Sequence, residues 1–460
     1  MSIAPVSRNA YTHLVSAYLF PLHERLKGHD SVARLRALEQ SQWWPTERLA
    51  EHRLRTLRDF LGHIAAHVPY YRDLFQRLGF DPGSLATLAD LQRLPLLDKS
   101  AIRTHHAALK SVQAGPLTAM TTGGSSGEPL RFWVGRDRVS HDVAAKWRAT
   151  RWWGVDIGDP ELVIWGSPIE VGNQDRLRAY RDRLLRSRLV SAFALNEATM
   201  AEMLAIVCRQ RPAMLFGYPS ALARLCGYAE SHGQRLDDLG IRVAFVTSER
   251  LYDHQRAEIG KVLGCPVANG YGGRDAGFLA HECPAGGMHI SAEDIIVETV
   301  DEQGRAVPDG SAGEIVVTHL ANRDFPLLRY RTGDVGILDN RLCLCGRGLP
   351  LIRELQGRST DFVYTSDGTP MHGLALIYIL REIPGIESFK IVQESLRQCR
   401  VLLVIEPEFA AAASETIRRG FQRRLGGDVC IDIEQVVDIP AESSGKFRYV
   451  VSRVDERSTP

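Results

Sequence analysis

The stretch that decides the fold is rich in glycine and hydroxyl side chains and reads Thr121-Thr122-Gly123-Gly124-Ser125-Ser126-Gly127-Glu128-Pro129-Leu130. Glycine lets the backbone approach a ligand closely, and successive N–H groups with hydroxyl groups form a concave site for phosphate oxygens. The stretch is not a Walker A loop, because Glu128 follows the last glycine where that motif requires Lys and then Ser or Thr. Taken alone, it is equally typical of a flexible Gly/Ser turn.

The composition of the whole chain limits the classes of function. With 460 residues and 44% hydrophobic content, the chain can bury one large core and a smaller one. Its 56 basic and 55 acidic residues leave a net charge of +1, which argues against nucleic acid or an anionic membrane as the main partner. No apolar run reaches the roughly 18 residues of a membrane span. Eight scattered cysteines favour a reducing, cytoplasmic location, and the oligomeric state stays open.

The hydrophobic patterns on both sides of the loop predict an α/β fold. Upstream, residues Thr46–Val68 carry apolar side chains at helical spacing. Downstream, strand-like runs are separated by helix-length intervals, at Leu162–Trp165, Ala213–Phe216 and Val243–Val246. This alternation predicts mostly parallel sheets flanked by helices. From Ile290 to about Leu338, short β-rich runs with tight turns predict a smaller antiparallel or barrel-like lobe.

A second domain is predicted after Gly357-Arg358, where Val363–Gly368 gives a new hairpin signal. We therefore expect a large N-terminal domain over residues 1–358, with its β-rich lobe at about 283–345. A small α+β C-terminal domain is expected over residues 359–460.

Further motifs follow the glycine loop in a fixed order: Tyr271-Gly272-Gly273-Arg274-Asp275, Tyr330-Arg331-Thr332-Gly333-Asp334, Gly357-Arg358-Ser359-Thr360-Asp361 and Ser443-Ser444-Gly445-Lys446. In this order, the motifs resemble those of the adenylate-forming enzymes, the superfamily of acyl-CoA synthetases, amino-acid adenylation domains and luciferases. Shorter matches point to the phenylacetate–CoA ligase branch and, within it, to members of capsular polysaccharide biosynthesis; they lie at Pro69–Arg72, Leu94–Lys99, Gly217–Ser220 and Asn322–Tyr330. The resemblance extends from about Leu54 to Arg453.

The resemblance implies ATP- and Mg²⁺-dependent activation of a carboxylic acid. Such enzymes attach AMP to the acid, release pyrophosphate, and pass the acyl group to a thiol or an amine. Because negative charge develops on the phosphates, positioned cations and N–H donors dominate this kind of catalysis. CoA is the expected acceptor. The resemblance also implies that the C-terminal domain is mobile and rotates between the two half-reactions.

The resemblance assigns roles to individual residues in the nucleotide site. The β- and γ-phosphates would be held by Thr121, Thr122, Gly123, Gly124, Ser125, Ser126 and Gly127. The adenine would lie between Tyr271, followed by Gly272 and Gly273, and the opposite wall of the pocket, Ser248 and Glu249. Asp334 and Arg358 would bind the ribose.

Two residues are expected to be catalytic. Lys446 matches the lysine that reaches the α-phosphate during adenylation. Asp275 stands where the family usually has a glutamate that orients Mg²⁺, so the carboxylate is kept but is one methylene shorter. As isolated residues, Asp334 and Lys446 are also typical of ordinary turns and solvated loops.

The acid pocket and the hinge are assigned with less detail. Pocket candidates are Trp165, Phe216, Gly217, Tyr218 and Gly270, a mixture that does not choose between an aryl acid and a uronic acid. The hinge is expected at Ser359, Thr360 and Asp361. Thr360 departs from the charged residue usual in the family, which a hinge tolerates because it only has to absorb a backbone rotation.

A metal site is predicted in the β-rich lobe, from Cys283, His289, Cys343 and Cys345. Three thiolates and one imidazole are a ligand set that structural Zn²⁺ prefers, and they leave no open position for catalysis. His281 is a competing ligand, and ordinary buried cysteines with a surface histidine are the alternative interpretation.

Two rival functions stay open. One is an amide ligase that passes the acyl group to an amine. The other is a nucleotide-binding scaffold without catalysis, against which the presence of Lys446, Asp334 and Asp275 argues. A serine hydrolase is not expected, because Ser125 and Ser126 lack a Gly-x-Ser-x-Gly turn.

Overall fold

The computed structural model describes residues 9–122, 130–165, 181–191, 197–358, 362–368, 370–410, 412–440 and 448–454. The chain divides into two compact units, Met1–Gln356 and Gly357–Pro460. No helix within the described part is long and apolar enough to cross a membrane.

Helices dominate the first hundred residues. They are α1 (Ala10–Leu14), a π-helical turn (Val15–Leu19), α2 (Phe20–Leu26), α3 (Ser31–Ser41), α4 (Thr46–His67), α5 (Pro69–Leu78) and α6 (Lys99–Thr104), with 3₁₀ turns at Pro82–Ser84 and Leu88–Arg93. In α4, Leu57, Leu61 and Ile64 are fully buried, as their helical spacing predicts. Helix α5 begins at Pro69, since proline lacks an N–H and fits the first turn.

A hairpin and a large sheet form the rest of the first unit. The hairpin pairs β1 (Thr118–Thr121) with β2 (Arg131–Val134) and leads into α7 (Arg136–Trp152). The sheet contains β3 (Glu161–Trp165), β4 (Ser187–Ser191), β5 (Met214–Gly217), β6 (Val243–Thr247), β7 (Val267–Gly273), β8 (Gly277–Glu282), β9 (Met288–Ile290), β10 (Ile295–Val300), β11 (Ala312–His319), β12 (Tyr330–Asp339) and β13 (Leu351–Arg358). Helices α8 (Glu197–Gln210), α9 (Pro219–Ser231) and α10 (Asp253–Leu263) separate the parallel strands.

The strand order in this sheet is β10-β11-β12-β13-β9-β8-β7-β6-β5-β3-β4. Strands β4, β3, β5, β6 and β7 pair in parallel, which confirms the predicted crossover units. From β7 to β8 the pairing becomes antiparallel. The β-rich region is therefore antiparallel, and its strands continue the sheet that the parallel strands begin.

Strands β5 and β6 are buried along their whole length because both faces of the sheet are covered. On one face, Leu215, Ala244 and Val246 pack in a core with residues of α8, α9 and α10. On the other face, Phe216 and Phe245 pack against Ala149 and Trp152 of α7. Successive side chains thus alternate between two cores, and α7 covers the face that carries the aromatic residues.

The second unit is a small α+β structure. It contains β14 (Phe362–Tyr364), β15 (Pro370–His372), α11 (Leu374–Arg381), β16 (Ile386–Ser395), β17 (Gln398–Ile405), α12 (Ala413–Leu425), β18 (Cys430–Gln435) and β19 (Val450–Ser452). Its main sheet has the order β18-β17-β16-β19. The hairpin predicted near Val363 is present, because Val363 pairs with Met371 across β14 and β15. Ile417, Phe421 and Leu425 form the buried face of α12 at four-residue spacing.

Candidate active site

The ends of the glycine loop are held by the β1–β2 hairpin. Thr121 pairs with Arg131, the N–H of Thr122 donates to the Leu130 carbonyl at 3.0 Å, and the Leu130 N–H donates to Thr122 Oγ1 at 2.9 Å. Thr121 and Thr122 thus lie at the base of a closed hairpin. The other predicted loop residues, Gly123, Gly124, Ser125, Ser126 and Gly127, lie outside the described residues.

The carboxyl ends of β5, β6 and β7 bring several predicted residues to one edge of the sheet, where open α/β sheets usually bind ligands. Ser248 directly follows β6 and has a φ of 72°, which is uncommon for a residue other than glycine. Next to it, the Glu249 carboxylate accepts the N–H of Ser220 at 3.2 Å, in the first turn of α9. A carboxylate is favourable at this helix end because it faces the positive end of the helix dipole.

Tyr271 and Asp334 form a hydrogen-bonded pair. Tyr271 lies on β7, Asp334 lies on β12, and the tyrosine hydroxyl donates to Asp334 Oδ2 at 2.9 Å. Burial and the neighbouring Asp334 carboxylate raise the pKa of Tyr271 well above its usual value, so the phenol keeps its proton. The Asp334 N–H donates to Thr332 Oγ1 at 3.1 Å, which fixes the backbone of the acidic residue as well.

A second tyrosine–carboxylate pair connects the same two regions, but here the tyrosine lies on β12 and the carboxylate follows β7. Tyr330, on β12, donates its hydroxyl to Asp275 Oδ2 at 2.6 Å, and the Ala276 N–H donates to Asp275 Oδ1 at 3.0 Å. The sequence motifs did not assign a role to Tyr330, although it opens the Tyr-Arg-Thr-Gly-Asp motif. The two carboxylates are half-buried, and each is oriented by a tyrosine from the other strand region.

The predicted acid-pocket residues lie together. The Trp165 ring is 4.4 Å from that of Tyr218 and 6.1 Å from that of Phe216, measured between centroids. A side chain at Gly217 would place a Cβ atom 2.5 Å from the Ile164 carbonyl oxygen, so only glycine fits there.

Gly270 borders an aromatic residue that the sequence motifs did not identify. A Cβ atom at Gly270 would lie 2.8 Å from Phe245 Cε1, and the Phe245 ring stacks on Phe216 at 5.8 Å. The apolar run Val243–Val246 was visible in the sequence, and the structure buries all of it. Which of its residues faces α7 depends on the register of the sheet, so its pattern alone could not single out Phe245.

Lys446 and the hinge residues Ser359, Thr360 and Asp361 lie outside the described residues. Arg358 ends β13, and its side chain also lies outside the described part.

The predicted metal ligands come together in the antiparallel region. The ligand atoms of Cys283, His289, Cys343 and Cys345 all lie within 4.8 Å of one another. Cys283 Sγ is 3.6 Å from Cys343 Sγ, and His289 Nε2 is 3.2 Å from Cys345 Sγ. Ligand atoms around a tetrahedral Zn²⁺ lie roughly 3.5–3.8 Å apart, close to these separations. The two sulfurs are much farther apart than the roughly 2.05 Å of a disulfide bond.

The imidazole of His289 is oriented for a ligand at Nε2. Its Nδ1 lies 3.3 Å from the Leu349 carbonyl oxygen, which can only accept a proton, so Nδ1–H is the donor and Nε2 carries the lone pair. Burial lowers the pKa of His289 to about 4, which keeps the ring neutral. The competing residue His281 instead packs against Phe245 and Phe278, outside the cluster.

The thiols of the cluster have different environments. Burial raises the pKa of the Cys283 thiol to about 12. Burial acts the same way on Cys345, but hydrogen bonds from the backbone and side chain of Arg347 outweigh it and lower the pKa of Cys345. The Arg347 guanidinium is held between Trp43 and Trp152, 4.8 and 4.4 Å from their ring centroids. The donor set of three sulfurs and one neutral imidazole fits a structural zinc ion.

Comparison with known proteins gives three consistent findings. Residues 363–453 match the family described as the CapK C-terminal domain. Protein CapK of Staphylococcus aureus is 24% identical over 413 residues, covering 88% of this chain and 90% of CapK. The phenylacetate-coenzyme A ligase of Thermus thermophilus is 25% identical over 351 residues, covering 74% of this chain and 77% of that ligase.

The solved structures support the fold. The crystal structure of 2-hydroxyisobutyryl-CoA ligase in the postadenylation state, in complex with R3-HIB-AMP, matches with a TM-score of 0.73 at 22% identity. The match covers 91% of this chain and 92% of that ligase. The chain is thus a homologue of CapK and of the phenylacetate-coenzyme A ligases, with the fold of the acyl-CoA ligases of the adenylate-forming superfamily.

Proposed function

We propose that the protein is an AMP-forming ligase that activates a carboxylic acid with ATP and transfers the acyl group to CoA. The observation that carries this proposal is the pair of tyrosine–carboxylate contacts, Tyr271 to Asp334 and Tyr330 to Asp275, at the edge of the sheet where the parallel strands end. Homologues named phenylacetate-coenzyme A ligase agree with this chemistry. A scaffold has no need to orient two carboxylates in this way.

In the first half-reaction, a carboxylate oxygen of the acid attacks the α-phosphorus of ATP, and pyrophosphate leaves. Tyr271 would offer its flat face to adenine. Asp334 would accept the ribose hydroxyls, because a carboxylate can accept hydrogen bonds from several donors besides Tyr271. Thr121 and Thr122, at the base of the hairpin, would begin the cradle for the β- and γ-phosphates.

Asp275 would hold Mg²⁺. Its carboxylate supplies the oxygen ligand that Mg²⁺ prefers, and the Ala276 N–H and the Tyr330 hydroxyl orient it. These two donors hold the short aspartate side chain in one orientation. When bound, Mg²⁺ would neutralise charge on the phosphates as pyrophosphate leaves.

In the second half-reaction, the CoA thiolate attacks the acyl carbonyl, the bond to the phosphate oxygen breaks, and AMP leaves. Lys446 would serve only the first half-reaction, since new charge on phosphorus develops there. Movement about Ser359–Asp361 would exchange the two orientations of the C-terminal domain. Arg358 would support the ribose.

The acid pocket favours an aromatic acid over a sugar acid. Trp165, Phe216 and Tyr218 present three adjacent rings, which suit a planar apolar group better than a polyhydroxylated one. The indole Nε1 of Trp165 is buried and has no hydrogen-bond partner within the described part of the chain. It could donate to one polar group of the acid.

A panel of acids tests this proposal by ATP–pyrophosphate exchange. Aryl and arylacetic acids should support exchange, while fatty and uronic acids should support less. Active acids are then incubated with ATP and either CoA or an amine panel, and the products are identified by mass spectrometry. Acyl-CoA as the main product supports the proposal, an amide product replaces it with the amine ligase, and ATP binding without exchange favours the scaffold.

We also propose that Cys283, His289, Cys343 and Cys345 hold one structural Zn²⁺ per chain. The mutual proximity of their ligand atoms supports this assignment. All four ligands of a tetrahedral site come from protein, so the ion would stabilise the fold and take no part in the reaction. Metal analysis of protein purified without added zinc would test the assignment, and metal-free protein of normal stability would refute it.

A further inference from the structure

Helix α7 contains two arginines whose side chains are almost fully buried, Arg138 and Arg148. Arg138 Nε donates to Asp142 Oδ2 at 2.9 Å, and Arg148 Nη1 donates to Glu293 Oε1 at 2.6 Å. Removing a charge from water costs several kcal/mol per ion. A buried ion pair therefore needs additional hydrogen bonds for its remaining donors and acceptors. The further contacts of the two arginines differ.

The two terminal nitrogens of Arg138 donate hydrogen bonds to the turn that carries Asp275. Nη1 donates to the Asp275 carbonyl at 3.1 Å, and Nη2 donates to the Arg274 carbonyl at 3.2 Å. On the other side of the turn, Asp142 Oδ1 accepts the Phe278 N–H at 3.3 Å. The ion pair therefore binds two carbonyls within the turn between β7 and β8 and one N–H at the start of β8.

Gly277 leaves the space that these hydrogen bonds of Arg138 require. It has a φ of +96°, and a Cβ atom there would lie 2.8 Å from Arg138 Nη2 and 2.9 Å from His319 Cδ2. Any larger residue would push the guanidinium away from the two carbonyls. The glycine thus leaves a space under the turn that the arginine fills.

A metal ion is a poorer explanation for this cluster. His141, Asp142 and His319 could offer three ligands, since their atoms lie within 4.8 Å of one another. However, the buried Arg138 guanidinium already neutralises Asp142 and would repel a second cation. Burial lowers the pKa of His319 to about 3, so this imidazole is neutral and Arg138 is the cation that pairs with Asp142.

We propose that buried Arg138, paired with half-buried Asp142, is a positioning device that holds the Arg274–Asp275 turn so that the Asp275 carboxylate faces the metal of bound Mg·ATP. The proposal rests on the proposed function, in which Asp275 holds Mg²⁺. Ala276 and Tyr330 orient the carboxylate itself, while Arg138 fixes the backbone that carries it. Neither Arg138 nor Asp142 would touch the substrate.

Arg148 provides a matched control on the same helix. It is buried to the same extent. It donates to Glu293, Ser291 and the Leu38 carbonyl, and its guanidinium lies 5.7 Å from the Trp152 ring centroid, so it contacts no residue of the candidate nucleotide site. We would compare Arg138→Lys with Arg148→Lys. Lysine keeps the charge but loses the planar arrangement of donors that reaches both carbonyls.

The measurement is the affinity for Mn·ATP, followed by electron paramagnetic resonance of Mn²⁺, and the affinity for ATP in EDTA. Arg138→Lys should weaken Mn·ATP binding about tenfold or more, because small misplacements of a site residue have large effects. Its binding of metal-free ATP should change less than about twofold. Arg148→Lys should leave both affinities within about twofold, even though both variants lower the melting temperature.

Equal effects of the two substitutions on Mn·ATP binding would overturn the proposal. Wild-type protein that does not bind Mn·ATP would overturn it too, because the turn would then hold no metal. If wild type binds Mn·ATP but no acid supports pyrophosphate exchange, the proposed ligase function fails, and the affinities still decide the positioning role. If Arg138→Lys does not fold, Asp142→Asn decides, with the same selective loss of Mn·ATP binding expected.

Discussion

The candidate nucleotide site and the Cys/His cluster both lie along one continuous sheet and both contain possible ligand atoms. They differ in how far those atoms are buried and in what the atoms face. In the nucleotide site, Asp275 and Asp334 are half-buried and each accepts a tyrosine hydroxyl. In the cluster, Cys283 and His289 are buried, and all four ligand atoms face one another within 4.8 Å. In the proposed roles, the first arrangement would orient acceptors towards an exchangeable ligand, and the second would close around a retained one.

Exposure of the ligand atoms to solvent separates the two proposed roles better than the kind of donor does. Carboxylates held by neutral hydroxyl groups keep acceptor capacity for a nucleotide and its metal. A tetrahedral set supplied entirely by protein leaves no position for substrate. Substitutions in the first region should therefore change rates and affinities, while substitutions in the second should change stability.

The largest expected effect is that of Lys446→Ala. Loss of one positioned charge should slow adenylation on the order of 10²-fold or more. Given preformed acyl-adenylate, the variant should still acylate CoA at a near-normal rate. Single-turnover kinetics of each half-reaction measures this, with Lys446→Arg as the control that keeps the charge. Equal slowing of both half-reactions would make this lysine a general structural residue.

The hinge gives the reverse outcome in the same assay. Thr360→Pro should slow acyl transfer more than adenylation, because a fixed φ impedes rotation but leaves the adenylating orientation accessible. A Thr360→Ala variant, which keeps the backbone free, is the control. Normal acyl transfer in the proline variant would contradict the two-orientation mechanism.

Asp275→Asn is expected to have the next largest effect. The amide keeps the shape of the side chain and loses its charge, so pyrophosphate exchange should fall about 100-fold, with a raised requirement for Mg²⁺. The melting temperature should change by less than about 2 °C, since the residue is half-buried. A large loss of stability with an unchanged Mg²⁺ requirement would place Asp275 with the structural residues.

Cys343→Ala should show the opposite pattern. Loss of a ligand should remove the zinc and cost about 2 kcal/mol of stability, roughly 3 °C in melting temperature for a unit of this size. The matched control is Cys208→Ala, a cysteine of intermediate burial that does not belong to the cluster. Zinc content and calorimetry are measured together. A stable variant that keeps one zinc per chain would show that Cys343 is not a ligand.

The smallest expected effects distinguish the two tyrosines. Tyr271→Phe removes the donor to Asp334 and should raise the KM for ATP about fivefold, which corresponds to the roughly 1 kcal/mol of one hydrogen bond. Tyr330→Phe removes the donor to Asp275 and should raise the Mg²⁺ concentration at half-maximal exchange by a similar factor. Steady-state exchange at varied ATP and varied Mg²⁺ separates the two. Identical profiles for both variants would show that the pairs act as one unit.

The sequence allowed much of this to be predicted where a local pattern carries the information. The apolar spacing of Thr46–Val68 predicted helix α4, and the separated apolar runs predicted parallel strands β3, β5 and β6. The Cys/His cluster could be predicted because few residue types bind zinc, and the sequence offers three cysteines and a histidine in the same β-rich region. The order of the motifs identified the homologues. The predicted ligand set took His289 with His281 as a competitor, and the fold places His289 in the cluster.

Tertiary structure alone decided which groups hold the predicted residues in place. Tyr330 reaches Asp275 across 55 positions of the chain, and Arg138 reaches the Asp275 carbonyl across 137 positions. No local periodicity encodes such partners, because they depend on how β12 approaches β7 and on how α7 packs against the sheet. The sequence by itself determined the residue types and their local elements. Only the packing of helix against sheet decided that a buried arginine supports the turn of a candidate metal-binding carboxylate, since that contact exists only when distant backbone groups meet.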